Sequence, residues 1–512
     1  MLNQISISYR SPVDNSIASL KNWLDHYKFH VAAFAASIFV SLVFIKTDGN
    51  FFWGSVLIGA AAITLVTFYN LEWGFLILVG LVIVSDRFDV TGFRPFTYTI
   101  FYLSTLNVMI RGLGFGVLTS MEIHTLLFIF VWILVAAIKK NRLPHPVPLG
   151  RIAVLLLVYL VGSVMYGRFR GGDTQIGIWE IRALVLLAPT FLAVPQMIKN
   201  KENLQKLVWV VIAALSFKAF QGIERFVGLG FSFGRFRTLM NHEDPLFFAA
   251  LFIFLLAMIM FGSNHPQRRV LLWLLVPLLI GFYVANRRAG YAVLGLSVIP
   301  FVALLSKADL RKALRILVVP GFIFCVYLAA YWDSYGRVAM VAQAFKSALF
   351  SHDREAVRGD DYMSGLTRDH EVYNLAVTVR KAPILGIGFG NQHEWAIPAF
   401  GMFALKGYIT HNSILWLITK TGGLGFFLFF FFLNCTVLYG AMVFSRLEDP
   451  YLKAVCAVSI VAIFNQIVGG YAEMQLINSR NMVFLGLFMG IIPTIDYLNK
   501  NGSVFARQPG HA

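Results

Sequence analysis

The sequence has little charge for its length. Only 13% of its 512 residues are Asp, Glu, Lys or Arg, whereas 58% are hydrophobic and the mean hydropathy is +0.70. A soluble domain carries about 25% charged residues, so the composition excludes a conventional soluble enzyme. Cysteine is also scarce: Cys325, Cys435 and Cys456 all lie in apolar runs and show no disulfide or metal-ligand spacing. No repeat period or low-complexity tract is present.

Apolar runs of about 18 or more residues recur along nearly the whole chain, and each could cross a bilayer as a helix. They lack the period-two alternation of membrane β-strands. We therefore predict an all-α, polytopic integral membrane protein with about 12 to 15 transmembrane helices. The weakly apolar stretch 96–112 is expected to be interfacial or re-entrant. The fourteen candidate spans are residues 29–46, 51–69, 71–86, 116–138, 151–166, 176–196, 206–228, 245–262, 269–285, 289–306, 314–332, 412–445, 452–471 and 481–498.

The orientation follows from the short connections, because Lys and Arg collect in cytoplasmic loops. Basic residues cluster in alternate connections, at 139–142, 199–206, 268–269 and 307–315. The predicted parts are a cytoplasmic N-terminal segment, which is expected to stay uncleaved, N-terminal transmembrane helices, a transmembrane core with external arginine turns, a large periplasmic helical loop, C-terminal transmembrane helices and a cytoplasmic tail. In that order they cover residues 1–28, 29–228, 229–333, 334–410, 411–498 and 499–512.

Basic residues exceed acidic ones by 43 to 26, a net charge of +17. In a membrane protein this excess points to lipid headgroups or a phosphorylated ligand, and no nucleic-acid partner is expected. The predicted external side carries mostly arginine, whose planar fork binds phosphate bidentately. Roughly half of these arginines are expected only to snorkel, or to pair with carboxylates such as Glu180 and Glu224. Arginines clustered in short connections at membrane depth are the functional candidates.

Four external segments combine these arginines with other polar residues. They are 234–245 with Arg235, Arg237, His242 and Glu243; 285–290 with Arg287 and Arg288; 364–391 with Arg368; and 411–425 with His411 and Asn412. Taken alone, each segment is only a weak indication of function. The Gly386-Ile-Gly388-Phe-Gly390 run follows no strand, so by itself it predicts a flexible turn rather than a nucleotide site.

The order and spacing of the four segments resemble the bacterial O-antigen ligase and O-antigen polymerase family, which includes related exopolysaccharide polymerases. That family has an arginine turn between two spans and then a large periplasmic loop with an internal arginine. A Pro-Leu-x-Gly-x-Gly-x-Gly-like stretch and a His-Asn-x-x-Leu opening of the next span follow. The resemblance covers about residues 230–430.

The resemblance assigns roles residue by residue. Arg287 or Arg288 matches the turn arginine, Arg235 or Arg237 the arginine before the Asn/His-Pro entry to a span, Arg368 the loop arginine and His411 the loop-end histidine. The expected catalytic residues are His411, Arg287 and Arg288, and the expected substrate-binding residues are Arg235, Arg237, His242, Glu243, Arg368, Arg225 and Asn412. One departure is Lys420, which stands where family members often carry a glutamate after the histidine, so the acceptor could differ.

The resemblance implies a donor glycan on a polyprenyl diphosphate and transfer at the periplasmic face of the bacterial inner membrane. The acceptor would be the lipid A core in a ligase, or another lipid-linked glycan in a polymerase. Fixed arginines would stabilise the diphosphate leaving group, and His411 would act as the base, with Glu243 as the alternative. No metal or other cofactor is expected, since the chain has no Asp-x-Asp pair and Asp369/Glu371 is expected to be solvated surface charge.

Two alternatives remain at this stage. Lys218, Gln221 and Arg225 share a helix face and could extend a polar groove toward the diphosphate, or Arg225 could simply pair with a carboxylate. A lipid-linked oligosaccharide flippase or an anion transporter is the competing function. A transporter should show pseudo-repeats and polar groups at the midplane, whereas the charged groups here cluster at one face.

Overall fold

The computed structural model describes residues 34–42, 44–45, 49, 51–86, 97, 102–103, 118–138, 146–233, 236, 238–334, 336, 338–350, 353, 355, 357, 359–398 and 405–506. All named elements in these ranges are helical, as predicted. They are α1 (Phe51–Tyr69), α2 (Leu71–Val84), α3 (Ser120–Ile138), α4 (Gly150–Phe169), α5 (Thr174–Ile181), α6 (Leu187–Met197), α7 (Lys201–Gly228), α8 (Asp244–Met260), α9 (Pro266–Trp273), α10 (Leu275–Ala285), α11 (Arg288–Leu296), α12 (Val298–Ala303), α13 (Lys307–Tyr331), α14 (Met340–Leu349), α15 (Gly359–Lys381), α16 (Ser413–Ser445), α17 (Pro450–Ala472) and α18 (Ser479–Ala506).

The described helices confirm a polytopic membrane protein. Seven are long and apolar enough to cross a membrane, or up to nine if two bent pairs each count as one span. The bent pairs correspond to the predicted spans 176–196 and 269–285: the chain turns by 45° between Thr174–Ile181 and Leu184–Met197, and by 56° between α9 and α10. Four shorter apolar helices complete the set. The stretch 96–112 lies largely outside the described residues, and so do residues 29–33, 43 and 46 of the predicted span 29–46.

The chain forms two compact units, residues 1–70 and 71–512. The first contains α1. In the second, α17 and α18 form the centre, since 78% and 89% of their apolar windows are buried against other helices. By contrast, only 6% of the corresponding window of α13 is buried, so that helix is left to face lipid. The other helices of this unit therefore pack around α17 and α18.

Connections that were predicted to alternate between the two sides meet at opposite ends of the second unit. At one end, Lys201 pairs with Asp449 at 2.5 Å and Lys312 donates to the Met260 carbonyl at 2.6 Å. At the other end lie the turn between α10 and α11, the start of α16 and the end of α17. The polar contacts of the candidate site described below lie at this second end.

The glycine-rich run, Gly386–Gly390, is packed and is not the flexible turn that the sequence predicted. Together with Pro383 it binds the backbone of α16, and we call this segment the glycine clamp. Helix α16 is broken at Gly422, whose backbone is not helical (φ 65°, ψ −174°). The break frees backbone groups on both sides of it. The carbonyls of Thr419 and Lys420 accept from Ile387 and Gly388 at 2.9 Å, and Gly423 donates to the Pro383 carbonyl at 2.7 Å. The run thus satisfies the hydrogen bonds that the kink leaves open.

Glycine is required in this clamp because backbone meets backbone. Gly388 has φ +78°, and a Cβ there would overlap the Cα of Gly167 in α4. Gly390 has φ +85°, and its Cβ would overlap the Asp173 carbonyl oxygen. The clamp therefore joins α4, α5 and the kink of α16 without intervening side chains.

We expect Gly388→Ala to lower the thermal unfolding temperature of the detergent-solubilised protein. The left-handed backbone alone costs an L-residue about 1–2 kcal/mol, and the overlap with Gly167 adds to this. Intrinsic tryptophan fluorescence during heating would measure the change. Gly162→Ala is the matched control, since a Cβ there meets nothing within 4 Å. Equal unfolding temperatures for the two variants would contradict the clamp.

Candidate functional site

A cavity of about 350 Å³ opens between α11, α14, α15, the start of α16 and the end of α17. It is lined by Arg288, Arg368, His411 and Asn412, which come from three of the segments that the sequence singled out. The rest of its polar lining is Ser347, Asp369, Glu371 and Tyr471. The cavity brings together residues up to 184 positions apart in the chain, from Arg288 to Ala472.

Arg288 begins α11 and reaches toward the helices of the 334–410 loop. Its guanidinium donates to Ser347 Oγ at 3.4 Å and to Ser364 Oγ at 3.2 Å, and the Asp361 carboxylate lies 4.0 Å away. Two hydroxyls therefore hold the fork, with a carboxylate at the limit of ion-pair distance. Arg288 therefore keeps its cationic character at the cavity wall.

His411 is held by a carboxylate. Its Nδ1 lies 3.0 Å from both oxygens of Glu371, and its backbone N–H donates to the same carboxylate at 3.0 Å. With Nδ1–H donating, the neutral ring has its lone pair on Nε2. This arrangement can hold an acceptor hydroxyl and take its proton.

Glu371 corrects the sequence analysis, which predicted solvated surface charge at this position. It is buried, with 4% of its surface exposed, because α15 packs over the cavity. Glu371 and Arg368 stand three residues apart and so share one face of α15. That spacing was the available signal, but the hydrophilic character of the loop hid it.

Arg287 is oriented differently from Arg288. Its terminal nitrogen lies 3.0 Å from Nε2 of His242, and Nδ1 of the same ring lies 3.1 Å from Glu473. Glu473, the residue that ends α17, also lies 3.6 Å from Arg368. Burial alone would raise the pKa of Glu473. The hydrogen bond from His242 and the positive charge around the carboxylate, to which Arg287 and Arg368 contribute, instead hold that pKa well below its usual range.

Beneath these residues lies a buried ionic network that the sequence did not predict. Arg480, at the start of α18, is fully buried and pairs with Glu243 at 2.8 Å and Asp244 at 2.7 Å. Lys218 pairs with Asp86 at 2.5 Å. The network ties α2, α7, α8 and α18 together. It fixes the segment that carries His242.

Two predicted site residues, Glu243 and Arg225, belong to this support and not to the cavity lining, whereas Asn412 lines the cavity and also has a structural role. Glu243 is bound to Arg480, which places it in the network. Arg225 donates to the Leu239 carbonyl at 2.5 Å and so holds the chain just before His242. Asn412 caps α16 by accepting from the backbone of Ile414 and Leu415. Arg235 and Arg237 lie outside the described residues.

Lys420, the departure noted in the sequence, is also structural in this arrangement. Its ammonium lies 2.7 Å from Glu180 and donates to the Asn391 carbonyl at 2.5 Å. Glu180 in turn accepts from the Gly390 backbone at 2.6 Å. Both side chains are fully buried. The ion pair therefore reinforces the glycine clamp and does not line the cavity.

Within the described ranges, no group of three or more His, Cys, Asp and Glu side chains is arranged to hold a metal ion. The charged groups that line the cavity are two arginines, one histidine and two carboxylates, of which Glu371 orients the histidine. Such a set is suited to an anionic ligand and to proton transfer.

Fold and site together define an all-α, polytopic membrane protein with an arginine- and histidine-lined cavity at one end of its helices. Residues 271–430 match the family model described as O-antigen ligase. The match confirms the resemblance to the O-antigen ligase and polymerase family and supports a membrane enzyme of that type. It includes Arg287, Arg288, Arg368 and His411, whereas His242 and Glu473 lie outside it. None of the curated proteins searched matches the chain.

We expect Lys420→Met to destabilise the protein by about 3–5 kcal/mol, because it leaves Glu180 as a buried unpaired charge. The double variant Glu180→Gln/Lys420→Met should recover most of this loss. The introduced glutamine can still accept from Gly390, and no charge remains buried. Thermal unfolding of the two singles and the double would measure the coupling. A double variant less stable than both singles would show that the pair is not the stabilising unit.

Proposed function

We propose that the protein is a glycosyltransferase of the O-antigen ligase type. It transfers a glycan from a polyprenyl diphosphate carrier to the lipid A core at the periplasmic face of the inner membrane. One observation carries this proposal: a single cavity holds Arg288 and Arg368 beside the His411–Glu371 pair. Cations for a leaving group and a base for an acceptor are the two things that such a transfer needs.

The arginines bind the diphosphate and stabilise the charge that grows on it as the bond breaks. Arg287 precedes α11 and Arg288 is its first residue, so the junction of α10 and α11 holds both at one depth. A carrier lipid places its diphosphate at that depth because its tail stays in the bilayer. Electrostatic groups fixed in advance contribute about 10²–10³ in rate for each donor.

His411 prepares the acceptor. Its Nε2 takes the proton from the acceptor hydroxyl while the hydroxyl oxygen forms a bond to the anomeric carbon. The bond from that carbon to the diphosphate breaks, and the lipid diphosphate departs with both electrons. Glu371 orients the ring and stabilises the imidazolium that forms. The reaction needs no change of oxidation state, and we propose that it needs no metal.

The second candidate is the polymerase reaction, in which the acceptor is another lipid-linked glycan. It is retained because the family match includes the site residues but does not identify the acceptor. Lipopolysaccharide electrophoresis of a deletion strain separates the two. Loss of all glycan-capped chains indicates a ligase, and caps of a single repeat unit indicate a polymerase. A transporter is disfavoured because the site's charges lie at one end of the helices.

We expect Arg287→Lys and Arg288→Lys to lose most of the transfer activity while remaining folded. Lysine keeps the charge but not the planar fork that holds two phosphate oxygens. Transfer would be followed with purified protein and lipid-linked donor, together with thermal unfolding. Lys312→Ala is the control, since Lys312 binds the Ile259 and Met260 carbonyls at the opposite end.

Two results would overturn the arginine mechanism. One is full activity in both lysine variants. The other is complete loss of wild-type activity when a chelator is present, which would show that a metal ion is needed.

We expect His411→Ala to lower transfer by about 10²–10⁴-fold if His411 is the base. Glu371→Gln should give a smaller loss, since the ring remains but its orientation and its imidazolium are less well supported. In both variants kcat should fall more than donor affinity. A change confined to donor affinity would instead place His411 at the diphosphate.

A further inference from the structure

A chain of three side chains leads from the end of α17 to Arg287. Glu473 contacts Nδ1 of His242 at 3.1 Å, and Nε2 of His242 lies 3.0 Å from a terminal nitrogen of Arg287. These residues come from three separate segments of the chain. Neither Glu473 nor His242 takes part in the transfer steps described above.

The hydrogen bonds fix the state of the imidazole. A carboxylate accepts only, so Nδ1 of His242 carries the hydrogen. Arginine donates only, so Nε2 carries a lone pair. The ring is therefore neutral, and Glu473 selects the tautomer that can accept from Arg287.

Glu473 is fixed by its surroundings. Its side chain is 8% exposed, and its backbone N–H donates to the Gly469 carbonyl at 2.9 Å. Ser413, two residues after His411, donates to the Glu473 carbonyl at 2.9 Å. The residue that holds His242 is thus anchored to the same helix start that carries the proposed base.

From this geometry we infer that Glu473 and His242 are positioning residues that orient Arg287 for the donor diphosphate through a neutral imidazole. The inference rests on the function proposed above. A carboxylate bound directly to Arg287 would occupy the fork and cancel its charge. The imidazole fixes one nitrogen only and brings no opposing charge. Nε of Arg287 is buried without a partner, so the second terminal nitrogen is the one left for a phosphate oxygen.

The test measures coupling, because a merely structural role would not depend on Arg287. Glu473→Gln can donate to Nδ1, which places the imidazole hydrogen on Nε2 facing Arg287. We expect this change to weaken binding of a polyprenyl diphosphate in detergent micelles by about tenfold. In an Arg287→Lys background, the same change should weaken binding less than about twofold.

Arg288→Lys provides the matched background. Arg288 is oriented by Ser347 and Ser364, so Glu473→Gln should still weaken binding about tenfold there. His242→Gln is the second variant and should reproduce the pattern if Glu473→Gln is poorly folded. The donor KM of transfer should rise with the dissociation constant, while kcat changes less.

Equal effects of Glu473→Gln in the Arg287→Lys and Arg288→Lys backgrounds would overturn the inference. So would unchanged binding in both Glu473→Gln and His242→Gln. Failure of the proposed function would look different. In that case the wild-type protein itself would neither bind the polyprenyl diphosphate nor transfer a glycan from it.

Discussion

The need to pair every charge buried among the helices governs the end of this protein that carries the cavity. An unpaired ion in such surroundings costs several kcal/mol, whereas a hydrogen-bonded pair is tolerated. Arg480 and Lys420 are fully buried, and each is paired with carboxylates from other helices. Because these partners are far apart in sequence, the pairs fix how the helix ends meet. The cavity is a consequence of that arrangement.

Much of the fold was predictable because lipid imposes a simple rule on sequence. A helix must be apolar over about 20 residues to span, so runs of that length mark the helices directly. The segment 245–262, for example, corresponds to α8 at Asp244–Met260. The breaks were not predictable from hydropathy. Leu274 interrupts α9–α10 without a polar residue, and the kink at Gly422 depends on backbone groups supplied by 383–388.

Site residues were predictable where residue type and position in the chain suffice, and less so where the role depends on contacts with distant side chains. Arg288, Arg368 and His411 were chosen for residue type and position, and the structure places all three around one cavity. Glu371 and Glu473 were missed because their roles are set by contacts. One was assigned to a solvated loop, and the other ends a span without a motif. The sequence shows where a carboxylate stands in the chain but not which cationic side chain it pairs with in the fold.

Distance to a carboxylate separates the structural arginine from the site arginines. Arg480 lies 2.7–2.8 Å from two carboxylates and is fully buried, so its charge is compensated within the fold. Arg368 and Arg288 lie 3.6 and 4.0 Å from their carboxylates and stay partly exposed. Coulomb energy falls with distance and with solvent, so these cations are only partly compensated. An anionic ligand gains most where a cation is held firmly but compensated weakly. The cavity wall meets that condition, and the buried network beneath it does not.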